Sequence, residues 1–188
     1  MARLIYSMLC SLDGYIEDQN GGFDWAAPDE EVHQFVNDFE RSVGTYLLGR
    51  RMYEIMQVWE TDPALAANSE ITRDYAEIWQ SANKIVFSRT LKTVTTSKTQ
   101  LIGNFDPDAI QTLKENADRD ISIGGPELST HAFRTGLVDE CHIYLAPIVV
   151  GGGKRAIPDN IMGELNLLEE RRFKSGFVFL RYQIKQER

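Results

Sequence analysis

Ile121-Ser122-Ile123-Gly124-Gly125-Pro126-Glu127-Leu128 is the stretch on which the fold class turns. Ile121 and Ile123 are apolar and β-branched, which suits a pleated, buried strand. Gly124 and Gly125 remove two Cβ atoms where the chain leaves that strand, so a ligand can approach the backbone. Pro126 suits the first turn of a helix, where its missing N–H costs nothing. The free N–H groups of such a helix would face the end of the sheet and can hold a phosphate. An ordinary tight strand-to-helix connection explains the same residues, so the rest of the chain has to decide.

The chain has 188 residues, 43% hydrophobic and 26% charged, which fits one globular domain over 1–188 with a sizeable core. A net charge of −8 argues against nucleic acid or an anionic membrane as partner. It leaves room for a basic pocket and an anionic small molecule. Arg3 followed by the apolar run Leu4–Leu12 resembles a signal peptide, but Asp13-Gly14 ends the run with no cleavage pattern after it. No stretch reaches the roughly 20 apolar residues of a membrane helix, so a cytoplasmic protein is expected. Cys10 and Cys141 lie in apolar runs and read as reduced core residues. His33, His131 and His142 are scattered, and no metal-ligand spacing is present, so no metal is expected; His142, in a strand pattern, reads as structural.

Outward from the opening stretch, the chain alternates strands and helices. Arg3–Leu12 is nearly continuous in apolar residues, as in a strand covered on both faces. The segment Gly14–Ala27 reads as a loop leaving the end of that strand. Its Phe23 and Trp25 either line a pocket or close the core. Pro28 opens a helix with Val32, Phe35, Val36 and Phe39 on one face. Thr45–Leu48 is a strand running into Gly49-Arg50-Arg51, where cations meet a helix start. Thr61–Asn68 reads as a loop, and Ser69 begins another helix. Lys84–Phe87 is a strand ending in Ser88-Arg89. Thr99–Gly103 reads as a short strand and Asp106–Asn116 as a helix. Cys141–Val150 is a long apolar strand interrupted by Pro147. Gly151-Gly152-Gly153-Lys154 reads as a flexible loop or a phosphate grip, without Walker spacing. Leu165–Phe173 and Phe177–Ile184 form an antiparallel hairpin. Several strand ends carrying small, hydroxyl or cationic residues suit one extended ligand across the carboxyl edge of an α/β sheet.

These residues, in order, resemble the dihydrofolate reductase-like superfamily, and within it the branch of the riboflavin-biosynthesis reductase domain. Ser11-Leu12-Asp13-Gly14 resembles the end of its first strand. Leu48-Gly49-Arg50-Arg51-Met52-Tyr53-Glu54 resembles its Gly-Arg-x-Thr-Trp/Tyr-Glu element. Val86-Phe87-Ser88-Arg89 and Ile123-Gly124-Gly125-Pro126-Glu127-Leu128 resemble its Ser-Arg element and Gly-Gly cofactor turn. The stretch Leu137–Pro147 with Gly151-Gly152-Gly153 resembles the C-terminal half. The resemblance implies a three-layer α/β/α fold, with a mostly parallel central sheet and a C-terminal antiparallel hairpin. It also implies NADPH as cofactor, a small heterocyclic substrate and a homodimer. By the same resemblance Arg50, Ser88 and Arg89 take the adenosine side with its 2′-phosphate, and Gly49 and Arg51 beside them are also expected to bind the cofactor. Gly124, Gly125, Pro126, Glu127 and Leu128 take the pyrophosphate. Trp25, Phe23 and Tyr53 are the expected substrate contacts.

The chain departs from the riboflavin reductases where a substrate-contacting Glu precedes the Gly-Pro pair: Ile123 or Gly124 stands there. Trp25-Ala26-Ala27-Pro28-Asp29-Glu30 copies the Trp-x-x-Pro spacing of dihydrofolate reductases, which would make Glu30 the functional carboxylate. Acidic residues at a helix N-terminus account for it equally. Asp13, Asp24 and Glu30 are the candidate proton donors, with Asp13 and Glu30 foremost; each needs a pKa raised by burial. The rival expectation is a nucleotide-binding protein that keeps the fold without turnover.

Overall fold

In the computed structural model, which describes residues 1–185, the apolar runs become strands of one eight-stranded sheet. The strands are β1 (Leu4–Ser11), β3 (Val43–Gly49), β4 (Asn83–Phe87), β5 (Thr99–Ile102) and β6 (Asp120–Gly124), then β7 (Glu140–Ala146), β9 (Leu165–Arg172) and β10 (Val178–Ile184). A separate two-stranded ribbon pairs β2 (Tyr15–Glu17) with β8 (Lys154–Arg155). The large sheet runs β5-β4-β3-β6-β1-β7-β10-β9. Its first six strands are parallel, and β10 and β9 close it as an antiparallel hairpin beside β7.

Alternation along each strand sends side chains to two faces. Tyr6, Met8, Leu47, Ile121 and Ile123 pack against α6 (Pro107–Asn116) and α7 (Pro126–Arg134) through Ile110, Leu128 and Ala132. Ile121 and Ile123 are fully buried, and each contributes on the order of 2 kcal/mol. The opposite face carries α1 (Glu30–Glu40) and α5 (Glu70–Ser81). There Val32 and Phe35 meet Tyr144 and Phe179, and Trp79 meets Tyr46 and Val86. Sheet and two helical layers thus form the expected α/β/α arrangement. Glu40, the last residue of α1, is inside this core. Its Oε2 lacks a hydrogen-bond partner, and Tyr46 and Tyr75 face it. Burial pushes its carboxyl up to about 7.

No hairpin sets the register of β1, because both its neighbours are parallel. Charges at its start do so instead. The Arg3 backbone N–H donates to Asp120 Oδ1 at 3.0 Å, and its Nη1 donates to Glu140 Oε1 at 2.9 Å. Arg181 Nε reaches Glu140 Oε2 at 2.8 Å, and His142 Nε2 lies 3.1 Å from the same oxygen. Burial opposes the Glu140 charge, yet His142, Arg181 and Arg3 outweigh it and hold the carboxyl well below the usual range. His142 therefore has a structural partner, and Cys10 and Cys141 are buried free thiols.

Several expected boundaries shift. The Gly14–Ala27 segment is not all loop: it contains β2 and a 3-10 turn at Asp24–Ala26. The helix expected from Pro28 starts at Glu30, because Asp29 caps it by accepting from the Val32 N–H at 2.9 Å. The Thr61–Asn68 loop is largely helical. Two short helices, α3 (Val58–Thr61) and α4 (Pro63–Ala67), follow α2 (Arg50–Met56); Asp62 caps α4 and Pro63 occupies its first turn. The strand expected over Cys141–Val150 ends at Ala146, since Pro147 cannot continue the ladder. Among the described residues no helix is long and apolar enough to cross a membrane.

Candidate cofactor cleft

The chain continues from β3 toward β4 on one side, but from β6 through α7 to β7 on the other. Adjacent strands whose connections diverge leave a crevice beyond their carboxyl ends. Here it opens as a cleft of about 790 Å³, lined by the ends of β3, β4, β5 and β6 and the starts of α2 and α7. Gly49 leads directly into α2. Gly125 caps α7 at φ +91°, a left-handed conformation that glycine adopts without strain. A Cβ on Gly125 would stand 3.8 Å from Met52 Cβ, so the two helix starts are in contact. The first-turn N–H groups of α7 have no intrahelical partner and point to the cleft end of the helix.

One end of the cleft is aromatic and cationic. Phe87, Phe105 and His131 line it, with Phe105 stacked on His131 at 5.7 Å. Arg50 and Arg89 also line the cleft and take part in no ion pair among the described residues. Ser88 Oγ accepts from the Leu91 N–H at 2.9 Å and so fixes the turn that presents Arg89. At the other end the ribbon lies over the opening. Glu17 of β2 receives Arg51 Nη2 at 2.7 Å, and Lys154 of β8 reaches Glu127 Oε1 at 2.6 Å. These charges, helix starts and aromatic rings make a site for an extended polyanion with a planar aromatic end.

Of the cofactor residues expected from the sequence, Gly49, Arg50, Arg51, Ser88, Arg89, Gly125, Pro126, Glu127 and Leu128 all line this cleft. Gly124 does not line it; its missing Cβ makes room for Met52, 3.4 Å away. Asn104, Phe105, His131 and Glu17 join the site without a signal in the sequence that singled them out. Lys154 follows the glycine triplet that did stand out.

The other expected site residues lie outside the cleft. Tyr53 is corrected most sharply: it is buried, and its hydroxyl accepts the N–H groups of Thr95 at 2.8 Å and Thr96 at 3.3 Å. Trp25 packs against the α1 core and donates from Nε1 to Gly22 O, while Phe23 is exposed. Asp13 accepts the backbone N–H groups of Val150 at 3.1 Å and Gly151 at 2.8 Å. Its contact with Ser11 and the N–H groups of Gly151 and Val150 hold its carboxyl below the usual range, opposite to what an acid needs. Glu30 is exposed at the start of α1, and Asp24 is exposed in the 3-10 turn.

Residues 2–179 match the RibD C-terminal domain family. The chain belongs to that family. RibD-type reductase domains have the dihydrofolate reductase-like fold, in agreement with the topology above. YyaP of Bacillus subtilis (strain 168), an uncharacterized protein, is 30% identical over 183 residues, covering 96% of this chain and 94% of its own. The fold is shared with a Shewanella sp. PV-4 protein named for riboflavin biosynthesis, with a TM-score of 0.76 at 23% identity, covering 99% of this chain and 100% of that one. It is also shared with the RibD-type deaminase/5-amino-6-(5-phosphoribosylamino)uracil reductase of Thermotoga maritima, with a TM-score of 0.64 at 14% identity. That match covers 98% of this chain and 57% of the longer Thermotoga chain.

Proposed function

We propose that this RibD-type domain is an NADPH-dependent reductase of a small heterocycle, pterin- or pyrimidine-like. The observation that carries the reading is the single cleft that gathers Arg50, Ser88 and Arg89 at one end and the Gly125–Leu128 helix start beside it. The residues fit the cofactor. Arg50 and Arg89 offer planar paired donors to a 2′-phosphate. Phe105 and His131 offer a flat face to a base. The α7 N–H groups suit a pyrophosphate, and Gly125 keeps a Cβ away from it. Bound NADPH would supply the hydride. The protein's part is to orient cofactor and substrate and to keep the reduced centre within reach of a proton. Neither Asp13 nor Glu30 lines the cleft, so in this reading water delivers that proton. A pyrimidine-like substrate is in keeping with the uracil reductase among the similar structures.

The test is paired titration with NADPH and NADH. Arg89→Ala weakens NADPH about tenfold, the scale of one charge-assisted contact, and leaves NADH nearly unchanged. Equal losses for both cofactors would remove the 2′-phosphate assignment. The two carboxylates of the lining, Glu17 and Glu127, are both held in ion pairs, with Arg51 and Lys154. The lack of an acid free to give a proton is what favours the rival, a nucleotide-binding protein without turnover. Hydride transfer to any pterin or pyrimidine acceptor excludes that rival. Given such an acceptor, Glu30→Gln leaves turnover at neutral pH unchanged; a large fall would return the donor role to Glu30.

We also infer a homodimer, built through the free edge of the sheet. Among the described residues β9 has no neighbour on its outer side, and it exposes Leu165, Leu167 and Leu168 by 43–48%. An exposed apolar edge strand invites pairing with a second chain.

A further inference from the structure

We propose that Lys154 grips the diphosphate of a dinucleotide in the cleft, and that Glu127 masks it until that ligand arrives. The inference rests on the reading of the cleft as a dinucleotide site and adds a residue and a competition to it.

The glycine triplet is what brings Lys154 there. A Cβ on Gly153 would lie 1.9 Å from the Glu17 carbonyl oxygen, and one on Gly152 would lie 2.6 Å from Gln19 Nε2. The 152–153 backbone is thus pressed against the end of β2 and the residues after it, and the β2–β8 pairing continues from it. Lys154 is consequently delivered from a closely packed base to the wall of the cleft facing α7. Its side chain is only 25% exposed, whereas that of its partner Glu127 is 85% exposed. Such a carboxylate can swing into water at little cost, because an ion pair with a solvent-exposed partner contributes little.

The second cation of the site identifies the ligand class. Arg51 reaches in from α2 and is aimed by Glu17, which takes it through both oxygens at 2.7 and 3.2 Å with a side chain 13% exposed. Glu127 feels both cations: Lys154 chiefly, and Arg51 as well, hold its carboxyl below the usual range. Its carboxylate therefore stands where an anion shared by Lys154 and Arg51 would stand, on the first turn of α7. Two cations beside the ribbon, Lys154 of β8 and Arg51 held by Glu17 of β2, next to a helix start suit two adjacent phosphates. Exchange of one carboxylate for such a group keeps both cations paired throughout.

Calorimetric titration of the full chain with NADPH, and separately with inorganic pyrophosphate, tests this with Glu127→Gln, Lys154→Gln and the double variant. Glu127→Gln tightens both ligands roughly two- to fivefold. Lys154→Gln weakens both about tenfold and flattens the salt dependence. In the Lys154→Gln background the Glu127→Gln gain disappears. An equal gain with and without Lys154 means general charge repulsion and overturns the proposal, as does no gain at all. Wild-type binding of NADPH together with unchanged Lys154→Gln affinity overturns the Lys154 assignment while leaving the dinucleotide site standing. A wild-type chain that binds no dinucleotide overturns both. Ligand-free melting curves of all variants show whether any loss is one of folding.

Discussion

Glu40→Gln should stabilise the protein in a pH-dependent way that can be worked out in advance. Glu40 is 7% exposed at the end of α1, with Tyr46 and Tyr75 facing its carboxyl, whose pKa rises from 4.5 to about 7. The folded chain thus holds a proton that the unfolded chain releases near 4.5. Stability is undiminished below that value, falls as pH rises between the two, and reaches its floor above the folded pKa. At about 1.4 kcal/mol per pH unit, the floor lies about 3 kcal/mol down. Glutamine keeps the shape, carries no charge, and can donate to the Tyr46 hydroxyl. Urea denaturation of wild type and Glu40→Gln from pH 4.5 to 9 measures the difference directly, because other titrating groups cancel between the two proteins. The variant should match wild type near pH 4.5 and exceed it by about 3 kcal/mol above pH 8. A difference that stays constant across the range would refute the buried-carboxyl argument, since packing or hydrogen bonding alone has no such slope.

Tyr53→Phe should cost about 2 kcal/mol in the same denaturation assay and leave NADPH affinity unchanged, because it strips the acceptor from two backbone N–H groups. Weaker cofactor binding without a stability loss would put Tyr53 back in the site. Leu167→Glu should turn the proposed dimer into a monomer by light scattering, because it puts a charge on the apolar edge of β9. A dimer that persists would place the interface on another surface.

The parallel core was legible because strands buried on both faces leave nearly continuous apolar runs, as Leu4–Cys10 does with Ser7 as its one polar residue. Much of the cleft lining was legible for a related reason. Its residues stand directly at strand ends, in short local motifs such as Gly49-Arg50-Arg51 and Ser88-Arg89. The whereabouts of the residues expected against a substrate were not. Tyr53 belongs to such a motif, yet Met52 and Ile55 line the cleft, and a turn of about 100° from Met52 sends Tyr53 into the core. Glu17 and Lys154 meet only because β2 and β8 pair, and no local pattern announces a two-residue strand that far along the chain. The helix at Pro63 was hidden by the proline itself, which reads as a breaker but is at home in a first turn after Asp62.

The position of β1 also governs how this chain can be made. Of the strands of this sheet it leaves the ribosome first, and it has no partner among the next ones synthesised: its neighbours in the sheet are β6 and β7. The ion pair that seats it joins Arg3 to residues 117 and 137 positions later. The run Leu4–Leu9 must therefore remain unpaired through most of translation, an apolar segment waiting for the strands on both its sides. Strands β3, β4 and β5 can assemble meanwhile as neighbours in sequence and space. The last event is then the insertion of the oldest strand into a gap between two younger ones. The expected consequence is a refolding rate set by the closure of this gap rather than by the helices around it.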